Sequence, residues 1–259
     1  MLANEPRLRT ILNSKHAKIC MKVIAVVPAR LASTRLPQKM LREIAGVPLV
    51  GRVYQAVRSC TLLDDVLVAT DAEEIMTVCQ RHGWHAQMTS TKHRSGTERV
   101  HEIAATATAE IYVNVQGDEP MVRSEQIAAL VDLMETRDVQ VGTLKTPAAV
   151  EDIASPNAVK VVTDVAGRAL YFSRATIPHD RDGTHPRYFK HLGLYAYRKS
   201  ALERFVSLPE SFLERSERLE QLRFLENGIP IYVAETPYDS VGVDTEDDLR
   251  RVEAILKKA

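Results

Sequence analysis

The sequence predicts an α/β protein built on a mainly parallel sheet flanked by helices. Three observations carry that expectation. Short β-branched runs recur through the first half, each is followed by a stretch with helical spacing, and no Pro/Gly/Ser linker, repeat or low-complexity tract divides the rest of the 259 residues. Continuous apolar runs mark strands buried on both faces, and strand–helix alternation implies right-handed crossovers.

The first strand is expected at residues 22–27, a nearly unbroken β-branched run. Further strands are expected at 66–69 and 111–115, with helices at 48–59, 72–81 and 97–107 between and around them. After about Thr146 the pattern turns to extended segments at 158–162, Ala169–Ser173 and Phe189–Tyr197, with turns at Ala166-Gly167 and Asp182-Gly183. These read as strands added to the same sheet. A helix at 212–226, a strand at 231–234 and a helix at 245–257 close the chain. Residues 21–259 are therefore expected to form one domain with a smaller excursion.

Residues 1–20 contain Arg7, Arg9, Lys15 and Lys18 but only Ile11-Leu12 as an apolar pair, which does not fit a secretory signal. Met21 opens directly onto the first strand. The expectation is that translation begins at Met21 and that residues 1–20 are a misassigned or disordered extension.

With 34 basic and 34 acidic side chains the formal net charge is zero, so no global field favours nucleic acid or an anionic membrane. Any anion site must be local. Cys20, Cys60 and Cys79 are few, odd in number and far apart, which suits neither a disulfide framework nor a paired-cysteine zinc site and points to a reducing, cytoplasmic setting. The apolar run from Val23 to Ala29 is far short of the roughly 20 residues a membrane helix needs.

The first strand leads into VPARLASTRLPQK, residues 27–39, where Arg30, Arg35 and Lys39 cluster. A loop after the first strand lies at the carboxyl edge of the sheet, where ligands bind. Guanidinium forks and an ammonium there suit a polyphosphate. The same charges also fit a solvated loop, and the residues alone leave both readings open. Two other phosphate loops are excluded. No two glycines are separated by a single residue, so the dinucleotide fingerprint is absent. Gly46 and Gly51 have the P-loop spacing, but Arg52 and Val53 stand where the lysine and hydroxyl residue belong.

The expected strand at 111–115 ends in QGDEP, which places Asp118 and Glu119 at the same edge. Magnesium takes one or two carboxylates, with phosphate and water supplying the rest. Asp244, in GVDT, either joins Asp118 as a metal ligand or, with Thr245, caps the last helix. His82, His85 and His101 have no zincin spacing.

In order along the chain, VVPARLASTRLPQK, HRSGTERV, VNVQGDEP, NAVKVV, YFSRATIP, KHLGLYAYR, LEQLR and GVDT resemble the 3-deoxy-manno-octulosonate (Kdo) cytidylyltransferases. The resemblance implies a fold of the nucleotide-diphospho-sugar transferase type, with a smaller sugar-binding and dimerisation portion. It implies transfer of CMP from CTP to the anomeric hydroxyl of Kdo, giving CMP-Kdo and pyrophosphate for lipopolysaccharide synthesis. It also implies Mg2+, a homodimer and a cytoplasmic location, with no nucleic acid and no membrane insertion.

Carried over by motif, Arg30, Arg35 and Lys39 would neutralise the triphosphate, with Pro28, Ala29, Ser95, Gly96 and Arg99 holding the cytidine and phosphates. Asp118 and Asp244 would hold the metal, and with Lys39 and Arg30 would form the catalytic group. Gln116, Arg174, His191, Tyr195, Glu220 and Gln221 would form the sugar pocket, Arg174 pairing with the sugar carboxylate. On pattern alone Glu220 and Gln221 equally suit the solvated face of the helix at 212–226. Three positions depart from the family: Gln38 where glycine is frequent before the lysine, Val47 where lysine is frequent, and His179 where tryptophan is common. Gln38 matters because such a glycine position can require positive φ. Two other functions fit much of the same pattern, a cytidylyltransferase for sialic acid or 8-amino-Kdo and a catalytically silent nucleotide-sugar binder.

Overall fold

The computed structural model describes residues 21–33, 35–136 and 138–257. The elements, in chain order, are β1 (Val23–Ala29), β2 (Glu43–Ile44), β3 (Val47–Pro48), α1 (Leu49–Arg58), β4 (Asp65–Thr70), α2 (Glu73–His82), β5 (Ala86–Met88), α3 (Gly96–Thr106) and β6 (Ile111–Asn114). They continue through α4 (Ser124–Thr136), β7 (Val141–Pro147), α5 (Val150–Ile153), β8 (Lys160–Thr163), β9 (Ala169–Ser173) and β10 (Phe189–Tyr197). The chain then forms α6 (Lys199–Ser207), α7 (Phe212–Glu217), α8 (Leu222–Glu226), β11 (Ile231–Glu235) and α9 (Glu246–Leu256).

One mixed sheet has the order β11-β7-β10-β6-β1-β4-β5, with β8 branching from β10 and pairing β9. The β1–β4, β1–β6, β4–β5 and β7–β11 pairs are parallel, whereas β10 runs antiparallel to β6, β7 and β8. This is the expected α/β class. The unbroken apolar run of β1 is explained by its place inside the sheet. Val23, Ala25 and Val27 face the core under α1 and α4, while Ile24 and Val26 face the one under α3 and α6.

The parallel strands β1, β4 and β6 bring their carboxyl ends, Ala29, Thr70 and Asn114, to one edge. At that edge Gly117 lies so close to the first strand that an added Cβ would meet the Pro28 carbonyl at 2.6 Å. Gly51, by contrast, is a packing residue, since a Cβ there would lie 2.0 Å from the Trp84 ring. Its chance P-loop spacing has no phosphate role in the fold.

The helix expected at 212–226 is two helices, because Arg218 adopts φ 55° and breaks it into α7 and α8. Glu220 and Gln221 fall in the corner between them. Strand β7 was not marked by an apolar run, since Gly142, Thr143, Lys145 and Thr146 interrupt its apolar residues. Thr143 is tolerated inside because its hydroxyl lies 2.7 Å from the Leu194 carbonyl and 3.2 Å from that of Leu192. Helices α4 and α6 and strand β5 were also not anticipated. Cys60 and Cys79 are buried free thiols. The reading of residues 1–20, like Cys20, lies outside the described residues. Among the described residues no helix is long and apolar enough to cross a membrane.

Candidate active site

Two adjoining cavities at the carboxyl edge of the sheet are lined by most of the expected site residues. The first, about 390 Å³, is lined by Arg30, Arg35, Lys39, Ser95, Gly96 and Asp118, with Asp244 and Pro28 at its wall. Arg30 and Arg35 are exposed, but Lys39 retains only 7% of its accessible surface. Burial alone would lower the Lys39 pKa, yet Asp118 and Asp244 together hold it above its ordinary value. Its ammonium donates to Asp118 Oδ2 at 2.7 Å and Asp244 Oδ1 at 2.9 Å. Arg35 reaches the other oxygen of Asp244 at 2.9 Å.

The capping role at GVDT falls to Thr245. Thr245 is the N-cap of α9, accepting from Asp248 N, and Asp248 answers on the Thr245 amide in a capping box. Asp244 therefore leaves the cap to its neighbour and turns its carboxylate to the cations. Among the described residues there is no group of three or more metal-ligating side chains. The Asp118 and Asp244 pair, converging on one ammonium beside an anion cavity, nevertheless has the donor chemistry of a magnesium site completed by phosphate and water.

Ser95 is the N-cap of α3 and accepts from Glu98 N, so the first amides of that helix open onto the same cavity. Arg99 also borders it, but its guanidinium is committed. It pairs with Asp71 and donates to Thr89 Oγ1 at 2.8 Å and to the Ser90 carbonyl at 3.2 Å. Arg99 thus holds the loop before α3 in place. Ala29 is fully buried and Pro28 alone of that pair lines the cavity.

The second cavity, about 350 Å³, lies against β10 and the α7–α8 corner. His191, Tyr195, Glu220, Gln221 and Gln116 all line it. Two of these, Gln116 and Glu220, line the first cavity as well, so the cavities meet there. Burial raises the Glu220 pKa, opposed by hydrogen bonds from the Thr97 and Ser95 side chains. His191 Nε2 lies 2.9 Å from Thr143 Oγ1. If the single Thr143 proton goes to the nearer Leu194 carbonyl, Nε2 is the donor to the hydroxyl and Nδ1 is left an acceptor. Burial lowers the His191 pKa to about 3, so the ring is neutral.

Arg174 is placed differently from the expectation that it faces a sugar. Its guanidinium donates to the carbonyls of Glu217 at 2.8 Å, Pro156 at 2.9 Å and Arg218 at 3.4 Å, and it is not among the residues lining either cavity. The cations that do line the second cavity are Lys190 and Arg218. Lys190 bridges Asp152 at 3.1 Å and Asp239 at 3.0 Å. Arg218 forms no ion pair with a described residue. Neither was singled out from sequence; only the KHLG block and the residue before LEQLR marked their neighbourhood. Glu119 also lines this cavity, bonded to the Ser240 hydroxyl, and desolvation raises its pKa to about 7. His179 is exposed and outside both linings, and Val47 lies in the small β2–β3 ribbon.

The cytidylyltransferase family pattern matches residues 24–233. A 3-deoxy-manno-octulosonate cytidylyltransferase of Koribacter versatilis (strain Ellin345) is 66% identical over 237 residues, spanning 91% of this chain and 90% of its own. The chain belongs to the 3-deoxy-manno-octulosonate cytidylyltransferase family. Another relative of that name, from Acidobacterium capsulatum, is 56% identical across 91% of this chain and 97% of its own. A solved CMP:2-keto-3-deoxy-manno-octonic acid synthetase complexed with CTP is 40% identical and has a TM-score of 0.89, covering 92% of this chain and 99% of that one. The fold extends beyond this cytidylyltransferase family: a 4-diphosphocytidyl-2C-methyl-D-erythritol synthase from Anaerococcus prevotii reaches a TM-score of 0.63 at 13% identity.

Proposed function

We propose that the chain transfers the cytidylyl group of CTP to the anomeric hydroxyl of Kdo, releasing pyrophosphate. The observation that carries this reading is the meeting of a cationic cavity and a polar, aromatic cavity at Gln116 and Glu220. A nucleotide in the first and a sugar in the second would bring the anomeric oxygen to the α-phosphorus. That oxygen forms the new P–O bond as the bond to the pyrophosphate oxygen breaks, and the hydroxyl proton is lost. Such a transfer depends mainly on positioning and charge stabilisation.

Arg30, Arg35 and Lys39 neutralise the triphosphate, and the α3 amides after Ser95 donate to a phosphate oxygen. Asp118 and Asp244 hold Mg2+, which when bound supplies positive charge to the phosphates. Gln116, Glu220, Gln221, His191 and Tyr195 orient the sugar, with Arg218 and Lys190 providing the positive charge its carboxylate needs. Arg174 contributes by fixing the 217–218 backbone from which Arg218 projects. The resemblance to Kdo cytidylyltransferases further implies a cytoplasmic homodimer supplying a lipopolysaccharide sugar. The exposed Val165 and Leu170 side chains around β8–β9 suit a self-contact, which light scattering of the purified chain would test.

The decisive assay supplies CTP, Mg2+ and a panel of acidic sugars, then measures pyrophosphate and identifies the CMP-sugar. Turnover with Kdo is expected. Turnover only with a sialic acid or 8-amino-Kdo, or nucleotide binding with no turnover at all, would replace this reading.

A further inference from the structure

Resting on that reading, we infer that the side-chain amide of Asn114 is a sugar-recognition group, donating from Nδ2 to a hydroxyl oxygen of the acidic sugar at the floor of the second cavity. Asn114 ends β6, lies opposite Tyr195 in the β6–β10 register and lines that cavity, although only 1% of it is exposed. Gln116 Nε2 donates to its Oδ1 at 3.3 Å, which fixes the amide and turns Nδ2 the other way. Among the described residues Nδ2 is a buried side-chain donor with no hydrogen-bond partner. The Asn114 side chain lies near enough to the Tyr197 hydroxyl to lower that phenol's pKa slightly against the rise that burial causes, yet Nδ2 meets no partner at full hydrogen-bond distance and angle.

Buried polar groups are paired almost everywhere in folded proteins, and an orphan lining a cavity points to a ligand that completes it. The ligand's chemistry follows from what surrounds the donor. Nδ2 requires an acceptor, and Glu220 in the same lining offers a carboxylate to receive a proton. A sugar hydroxyl meets both demands, accepting from Asn114 and donating onward. The amide rides on a central strand and is held by Gln116, so it is preorganised, and an analogue without that hydroxyl would leave a buried donor unpaired.

The test compares the wild-type chain with Asn114→Asp, which keeps the size and the acceptor for Gln116 but removes the donor. KM for Kdo should rise about tenfold or more, the scale of one lost buried bond, with KM for CTP unchanged. Kdo analogues lacking single hydroxyls supply an arm that needs no variant. One of them should lose a similar factor on the wild-type chain and no further factor on Asn114→Asp. Uniform turnover of all the analogues by the wild-type chain overturns the inference, as does an unchanged KM for Kdo in the variant; both leave the Kdo reading intact. A parallel change in the KM for CTP would show a structural asparagine and also overturn it. Failure of the wild-type chain to use Kdo at all would remove the reading and this inference together.

Discussion

Lys39 donates to Asp244 Oδ1 at 2.9 Å, joining the loop after the first strand to the residue just before the last helix. The same ammonium holds Asp118 at 2.7 Å, so two carboxylates far apart in sequence converge on one cation. On the proposed reading, removing either carboxylate would leave the metal a single protein ligand. Asp118→Asn and Asp244→Asn are each expected to lower kcat by about 10²-fold and to raise the Mg2+ concentration needed for half-maximal rate. Because Thr245 and Asp248 form the cap without Asp244, helix α9 should keep its stability in Asp244→Asn. Wild-type Mg2+ dependence in that variant would show that Asp244 serves the cations alone.

Gln38, immediately before Lys39, has φ 51° and makes no side-chain capping bond. A left-handed conformation costs a residue with a Cβ about 1–2 kcal/mol, while glycine adds about 0.5–1 kcal/mol of lost chain freedom. Gln38→Gly should therefore stabilise the chain by about 0.5–1 kcal/mol in urea unfolding. A destabilised variant would mean that the glutamine side chain makes a contact of greater worth.

The fold and the cationic first cavity were largely legible in the sequence because their signals are local. Buried parallel strands read as apolar runs, and Arg30, Arg35 and Lys39 share one short loop. Even the strained backbone at Gln38 was foreshadowed by the glycine usual there. The second cavity was less legible, since its groups depend on tertiary partners. Arg174 looks the same in sequence whether it faces a sugar or three carbonyls. Arg218 lines a cavity only because its backbone breaks a helix that apolar spacing would have continued. Asp244 could not be told from a cap until Thr245 was seen to fill that role.

Arg174 yields a prediction that separates support from contact. Its fork donates to carbonyls of residues 156, 217 and 218, and the one ammonium of a lysine cannot reproduce that planar geometry. Arg174→Lys should cost about 1–3 kcal/mol of stability through the unpaired carbonyls and raise KM for Kdo while sparing KM for CTP. Arg218→Ala, lacking the proposed carboxylate contact but not the wall, should raise KM for Kdo with little loss of stability. A larger stability loss in Arg218→Ala than in Arg174→Lys would reverse these roles.

His191 supplies a pH signature. Its pKa falls from 6.5 to about 3 on burial, so between those values the unfolded chain takes up a proton that the folded chain does not. Stability from this group is complete above pH 6.5 and declines as pH falls, by about 1.4 kcal/mol per unit. Glu119 acts in the opposite sense. Its pKa rises from 4.5 to about 7, so its contribution is full below pH 4.5 and is lost as pH climbs through 7. The two slopes oppose each other between pH 4.5 and 6.5, and a wild-type profile would hide both. The comparison with His191→Gln isolates one of them. The stability of the wild-type chain relative to His191→Gln should fall by about 1.4 kcal/mol for each unit between pH 6 and 4. A constant difference would mean that the imidazole protonates as freely folded as unfolded, and that the neutral acceptor Nδ1 does not persist in acid.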